Sequence, residues 1–198
     1  MPAGHDLEAS IALLESTPES IVRLVAALPE WLLNQNEGPG TWTPLEVLQH
    51  LTWGEVDDWI PRVRLILEHQ DRVAFTPFDR DGGRKRYAGW ALPVLIGEFK
   101  RLRAENLAAL RALNLTDQQL SLPGTHPALG PVTLSQLIAS WVTHDLTHLY
   151  QIARTIAGNY EEAVGPWTQF MGIYHMERKL QPQARDVAPA SIASSRPS

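Results

Sequence analysis

The sequence predicts an all-α protein: a bundle of four or five helices with two long connections and a short extra helix near the C-terminus. Helix N-termini are marked by capping sequences, most clearly at Thr43 and Thr133, and apolar residues recur at helical spacing after both of them. Strand patterns are weak, because no two alternating β-branched runs are joined by a hairpin turn. We therefore expect helices and loops.

Threonine-proline pairs predict where the first two helices begin. Thr17-Pro18 is expected to open a helix that turns Ile21, Leu24, Val25 and Leu28 inward. Thr43 can cap a second helix whose first residue is Pro44, where the missing N–H of proline costs nothing. Pro61 should kink or end this second helix, because its ring clashes with the preceding turn.

The later helices follow the same signals. A helix begins near Pro93, and its apolar stripe consists of Leu95, Phe99, Leu102, Leu110 and Leu113. Thr133 and Gln136 can form a capping box that opens a long helix ending near Gly158. A final short helix is expected after Pro166 and before Pro182. The connections, about residues 71 to 91 and 114 to 132, are long enough to cover a functional site.

Length and composition predict one domain over residues 1–181 and a disordered tail over residues 182–198, which is rich in small residues. The 22 acidic and 17 basic residues leave a net charge of −5, which argues against nucleic acid as a partner. The chain has no cysteine, so a thiolate metal site or a cysteine nucleophile is excluded. Neither a signal peptide nor a membrane span is evident, so we expect a cytoplasmic protein with no membrane partner.

Three histidines carry the clearest chemical signal. His144 and His148 are four residues apart on a predicted helix, so both imidazoles lie on one face and can chelate one metal ion. His50 lies on the helix that begins at Pro44, and it can join the pair if the two helices are neighbours. Three histidines with an open fourth position are typical of a catalytic site, which zinc, nickel, manganese, iron or cobalt can occupy.

Spacing alone leaves simpler interpretations open. A chain with seven histidines contains a four-residue spacing by chance, and packed or exposed histidines are the commoner outcome. The segment His144-Asp145-Leu146-Thr147-His148 also resembles the HExxH pattern of metalloproteases, with the shorter aspartate in place of glutamate. That interpretation needs a third ligand downstream, and Glu161, Glu162 and His175 are the candidates.

Several neighbours of the histidines are candidates for supporting roles. Gln151 and Trp141 share the face of His144 and His148, and Trp53 shares the face of His50, so these three are candidate pocket or supporting residues. Asp145 points about 100° away from His144 on a helical wheel and is expected to be exposed or to support a ligand. Charged residues on a helix are usually solvated, so we assign no catalytic role to Glu46, Glu55 and Asp57. The seven tryptophans are expected to fill the core and interfaces.

Two segments resemble the DinB-like (DinB/YfiT) superfamily over about residues 10 to 180. The first is Thr41-Trp42-Thr43-Pro44 followed by Val47-Leu48-Gln49-His50-Leu51. The second is Val132-Thr133-Leu134 with the later run from Trp141 to Ile152, which contains both His144 and His148. The resemblance implies a four-helix bundle with a divalent metal, zinc or nickel foremost, held by His50, His144 and His148.

The resemblance also implies a chemistry. Members of the family with known activities use the metal to activate the sulfur of a low-molecular-weight thiol such as bacillithiol or mycothiol, for transfer or isomerisation. We therefore expect a small-molecule substrate and a metal-activated thiolate that attacks an electrophile. A metal-dependent hydrolase and a non-enzymatic, stress-linked binding bundle with a structural metal are the alternatives. Apolar bundle faces are compatible with a homodimer.

Overall fold

The computed structural model describes residues 5–175. Within them the chain forms nine α-helices and one short β-hairpin. The helices are α1 (Leu7–Ala26), α2 (Glu30–Leu33), α3 (Pro44–Asp57), α4 (Trp59–His69), α5 (Gly82–Arg86), α6 (Leu92–Ala112), α7 (Asp117–Leu120), α8 (Leu134–Gly158) and α9 (Glu161–Val164). The strands are β1 (Pro123–His126) and β2 (Gly130–Thr133).

Helices α1, α3, α6 and α8 form a four-helix bundle, and α4, which follows α3, packs against α8. The predicted helical bundle is thus confirmed, but the hairpin was missed. Strands β1 and β2 pair antiparallel, with Pro123 opposite Thr133 and His126 opposite Gly130. Gly130 has a φ of 76°, which favours glycine at this turn. Four-residue strands are too short to show an alternating pattern in the sequence.

Helix α1 begins eleven residues earlier than predicted, because Asp6 and not Thr17 is its N-cap. The Asp6 carboxylate accepts a hydrogen bond from the backbone N–H of Ala9 at 2.9 Å. Pro18 lies inside the helix and cannot donate to the carbonyl of Leu14. That carbonyl instead accepts a hydrogen bond from Nη1 of Arg103 at 2.9 Å, so the proline is accommodated by a donor from α6.

Helix α3 begins at Pro44 as predicted, and Thr43 and Glu46 form the capping box. It ends at Asp57, and α4 starts at Trp59 after a break at Asp58. The prediction that Pro61 would end or kink this helix is therefore confirmed, with the break three residues upstream of the proline. Asp58 is buried and pairs with Arg62 of α4 at 2.6 Å.

Helix α6 begins at Leu92, beside the predicted Pro93, and α8 runs from its Thr133 cap to Gly158 as predicted. The final short helix is present as 3₁₀ helix, over Gly165–Phe170 and Gly172–Tyr174, as far as the structure describes this part of the chain. The predicted tail over residues 182–198 lies outside the described residues.

The bundle interior consists of two apolar halves separated by a polar layer. One half includes Leu14 and Trp141, and the other includes Ile21 and Phe99. Between the two halves each long helix contributes a buried polar side chain at the same level: Thr17, Glu55, Arg103 and Asp145. The three histidines lie beside this layer. Across residues 5–175, none of the helices combines the length and apolar character that a bilayer crossing requires.

Candidate metal centre

The structure brings His50 of α3 together with His144 and His148 of α8. The Nε2 atoms of His50 and His148 each lie 3.1 Å from Nε2 of His144. Each of the three histidines offers one nitrogen as a metal ligand, and these nitrogens all lie within 4.8 Å of one another. Among residues 5–175 this is the group of side chains that could hold a metal ion. Two histidines bonded to one tetrahedral zinc ion at about 2.0–2.1 Å have nitrogens roughly 3.4 Å apart. The cluster therefore fits a divalent metal with little rearrangement.

In two of the rings, Nδ1 faces away from the cluster and lies near a hydrogen-bond acceptor. This contact determines which nitrogen of the ring carries the proton. Nδ1 of His148 lies 2.9 Å from Oε1 of Gln151, and Nδ1 of His50 lies 3.4 Å from the backbone carbonyl of Arg80. When Nδ1 donates its proton to these oxygens, Nε2 carries the lone pair and faces the common point. Nδ1 of His144 is buried and has no protein partner among the described residues.

Burial keeps the three imidazoles neutral. It is the main cause that lowers the pKa of His50 to about 3 and the pKa of His148 to about 4, and it lowers the pKa of His144 well below its usual value. The neighbouring imidazoles add to the lowering at His50 and His144. Neutral imidazole is the form that binds metal, so no proton has to leave these rings at neutral pH.

Aromatic side chains form the walls of the cluster. The Trp42 ring lies 4.5 Å from the His50 ring, centroid to centroid, and Phe78 meets the other side of His50 at 5.5 Å. Trp59 contacts His144 edge to face at 5.1 Å. These rings limit water around the three nitrogens and give them apolar surroundings, which suit an organic ligand.

The loop that carries Phe78 and Arg80 is held at its end by two glycines of α5. A Cβ on Gly83 would lie 2.3 Å from the backbone oxygen of Gln49, and a Cβ on Gly82 would lie 2.4 Å from Nε1 of Trp53. Helix α5 can therefore contact the main chain of α3 next to His50 only because both residues lack side chains.

A buried ion-pair network lies directly behind the histidines. Arg103 donates to Oε1 of Glu55 at 2.8 Å and to Oδ2 of Asp145 at 2.7 Å, and all three side chains are at most 3% exposed. Asp145 also accepts a hydrogen bond from Thr17. Since Arg103 also binds the Leu14 carbonyl, its guanidinium connects α1, α3 and α8 to α6. The network fixes the relative positions of the helices that carry the ligands.

The predicted supporting residues have different outcomes. Gln151 contacts His148 as described above. Trp141 is separated from His144 by one ring, since it stacks on Trp59 at 5.5 Å. Trp53 packs against α5 and the apolar half that contains Ile21, away from the three nitrogens. The HExxH interpretation needs a third ligand downstream of His148. The candidates for it do not belong to the cluster; they are Glu161, Glu162 and His175.

Other expectations were wrong in instructive ways. Glu55, expected to be solvated, is 2% exposed, and Asp145 is fully buried in the ion-pair network. Of the tryptophans expected to fill the core and interfaces, three are exposed and not in the core: Trp31, Trp90 and Trp167. Within α6, Arg103 occupies the inward position that had been given to Leu102.

Sequence reasoning also missed the contacts of Trp42, Trp59 and Arg80 with the histidines. A signal for the network was present, because Arg103 follows Phe99 by four residues and precedes Leu107 by four. This spacing places an arginine in the middle of an apolar stripe, where it needs buried carboxylate partners.

Comparisons with known proteins agree with the fold. The family model of the DinB superfamily matches residues 13–152. The structure resembles YfiT from Bacillus subtilis, described as a probable metal-dependent hydrolase with an unusual four-helix bundle topology, at a TM-score of 0.66 and 24% identity over 78% of this chain and 90% of that one. It also resembles TT2238, a four-helix bundle protein, at a TM-score of 0.50 and 18% identity over 74% of this chain and 97% of that one. No curated protein matches the sequence.

Proposed function

The chain belongs to the DinB superfamily, and from this membership and its three-histidine cluster we propose that it is a divalent-metal-dependent enzyme. The observation that carries the proposal is the convergence of three neutral Nε2 atoms from His50, His144 and His148 on one point. Three protein ligands leave a coordination position open for water or a ligand, as catalytic sites do and closed structural sites do not. Zinc and nickel suit this ligand set best, and manganese or iron would also be accepted.

The reaction we propose is the attack of a low-molecular-weight thiol on an electrophilic small molecule. Among the described residues, none of the hydrogen bonds of the three histidines goes to a carboxylate. The nearest buried carboxylates, Glu55 and Asp145, are bound to Arg103. A site without a free carboxylate base suits a thiol, because a thiol loses its proton more readily than water does.

Each part of the site has a role in this reaction. When bound, the metal supplies a positive charge that stabilises the thiolate at neutral pH. Gln151 and the Arg80 carbonyl hold the rings of His148 and His50 in the ligating orientation. Trp42, Trp59 and Phe78 exclude water and bind the apolar part of the electrophile.

A metal-dependent hydrolase is the second candidate, and the description of YfiT favours it. A hydrolase would use the same three histidines but would turn over with water as the only nucleophile. A non-enzymatic bundle with a structural metal is the third interpretation. It would show metal-dependent stability without any turnover.

The test begins with the metal content of the purified, untagged protein and of a His144→Ala/His148→Ala variant, after reconstitution with zinc or nickel. We expect about one metal ion per chain in the wild type and less than about one tenth of that in the variant. His175→Ala is the matched control, because this exposed histidine lies outside the cluster, and it should keep its metal.

The metal-loaded protein is then assayed with an activated aryl halide, with and without an added thiol, and with an activated ester in water alone. Thiol-dependent conversion of the aryl halide that is lost in the double variant supports the transferase proposal. Ester turnover without thiol identifies the hydrolase instead. Metal-dependent melting without either activity identifies the non-enzymatic bundle, and the absence of metal uptake removes the proposal altogether.

A further inference from the structure

Arg80 lies at the edge of the three-histidine cluster. Its guanidinium lies over the Trp42 ring, 5.4 Å from the ring centroid, and Trp42 itself lies against His50. Its backbone carbonyl is the acceptor for Nδ1 of His50. Burial is the largest cause that lowers the pKa of the three histidines. The positive charge of Arg80 also lowers the pKa of each of them, as expected of a cation close to all three.

The carboxylates on the neighbouring segments already have cationic partners. Asp79 pairs with Lys85 at 3.0 Å, and both Asp81 and Glu46 pair with Arg84, at 2.6 Å and 3.1 Å. Behind the histidines, Glu55 and Asp145 bind Arg103. Within residues 5–175, Arg80 takes part in no ion pair and its side chain makes no hydrogen bond to protein.

The charges of the loaded site are therefore unbalanced. Three neutral histidines do not offset a divalent cation, and Arg80 adds one more positive charge beside it. A cleft with apolar walls and one sign of charge attracts small ions of the opposite sign. A guanidinium is also suited to bind a carboxylate through two parallel hydrogen bonds.

We propose that Arg80 binds a carboxylate of the thiol whose sulfur occupies the open position at the three histidines. This inference rests on the proposed function and adds a substrate class to it: a low-molecular-weight thiol that carries a carboxylate a few bonds from its sulfur. Phe78, two residues before Arg80 on the same loop, contacts the His50 ring edge to face, so an aromatic ring is available to the short chain that joins sulfur and carboxylate. Neutral or cationic thiols of the same size bind less tightly.

The experiment compares 3-mercaptopropionate with 3-mercaptopropionamide, which differ only in the charge of the distal group. Binding to the cobalt-substituted protein is followed through the visible spectrum of the metal, a readout independent of turnover. We expect the carboxylate thiol to bind about tenfold more tightly in the wild type, since a charge-assisted hydrogen bond contributes this order of discrimination. The preference should shrink at high salt, because Arg80 is exposed.

Variants at two arginines locate the effect. Arg80→Ala should abolish the preference for the carboxylate thiol. Arg80→Lys should restore part of it, since lysine keeps the charge but cannot form two parallel hydrogen bonds to a carboxylate. Arg86→Ala is the matched control, because Arg86 is exposed on α5 and its loss changes the net charge equally. It should keep the wild-type preference. The His50 contact uses the backbone of residue 80, so it is available in all of these variants.

The outcomes separate this inference from the function on which it rests. Equal binding of the two thiols to the loaded wild type, or a preference that survives in Arg80→Ala, would overturn the role of Arg80 while the metal site stands. A protein that takes up no metal would overturn both. A preference lost equally in Arg86→Ala would assign the effect to general charge and would also overturn the inference.

Discussion

The buried guanidinium of Arg103 offers the sharpest test of how the bundle is held together. Replacing it by methionine, which has a similar length and no charge, leaves Glu55 and Asp145 buried without a cation. It also leaves the Leu14 carbonyl without a donor, because Pro18 cannot supply one. Arg101→Met is the matched control: Arg101 lies on the same helix and also binds two carboxylates, but its side chain is 51% exposed.

The expected magnitude follows from burial. Removing one partner of a buried ion pair costs about 3–5 kcal/mol, and an unsatisfied buried carbonyl adds about 1–3 kcal/mol. We therefore expect Arg103→Met to lose about 5 kcal/mol or more of its unfolding free energy, a large share of the 5–15 kcal/mol of a typical domain. Arg101→Met should lose less than about 1 kcal/mol, because exposed pairs contribute little.

Urea unfolding followed by circular dichroism measures both values. If Arg103→Met is unfolded without urea, the loss of unfolding free energy is measured for Arg103→Lys instead. Lysine keeps a charge but cannot reach all three acceptors. A loss for Arg103→Met within about 1 kcal/mol of that for Arg101→Met would refute the reasoning, because it would mean that the two carboxylates are not held as buried ions.

The pH dependence of the same variant provides a second check. Burial is the main cause that raises the pKa of Glu55, and the Arg103 charge opposes it. Without Arg103 the pKa rises further, and a folded-state pKa above the unfolded value means that protonation stabilises the fold. The stability deficit of Arg103→Met should therefore shrink as the pH falls from about 7 to about 5. A deficit that grows over this range would contradict the assigned charges.

Two further predictions concern the positions around the site. A methyl group at Gly83 would meet the Gln49 carbonyl at 2.3 Å, whereas one at Gly97 of α6 would meet open space. Gly83→Ala should therefore destabilise the protein by about 1–3 kcal/mol and Gly97→Ala should stabilise it by about 0.5–1 kcal/mol in urea unfolding, and equal effects would contradict the close contact of α5 with α3. Burial raises the pKa of Asp58 from 3.8 to about 6, so the neutral carboxyl contributes stability at low pH that is lost as the pH rises through 6. The stability of Asp58→Asn relative to wild type should therefore rise by as much as about 3 kcal/mol between about pH 4 and about pH 7, and a constant difference would show that Asp58 is solvated.

The features that could be predicted from sequence are encoded within a few residues. The capping boxes at Thr43 and Thr133 need only the residue three positions on, and both helices begin where these signals place them. The pairing of His144 with His148 needs only one helical turn. His50 required more: the resemblance to a family, and not the spacing, placed it beside the pair.

The features that could not be predicted depend on partners far apart in the chain. Pro18 resembles the first residue of a helix, where a missing N–H is tolerated. It lies in mid-helix instead, because Arg103 of α6, 85 positions later, supplies the donor that proline lacks. Glu55 looks like a solvated residue until Arg103 is known to face it. The residues around Glu55 do not show whether its carboxylate meets water or a counter-ion in the core; only the apolar stripe around Arg103, on another helix, indicates a buried charge.

The loop between Phe75 and α5 is fixed at both ends by main-chain contacts. Phe75 is buried and donates its N–H to the Thr125 carbonyl, and Gly82 and Gly83 lie on α3. The residues between these anchors, 76–81, are mostly exposed, and they include Phe78, which contacts the His50 ring, and Arg80, which lies over the Trp42 ring. Because the anchors lie outside this stretch, we expect that its side chains can be exchanged while the bundle and the three histidines stay unchanged. The stretch can therefore be diversified in sequence on a fixed scaffold.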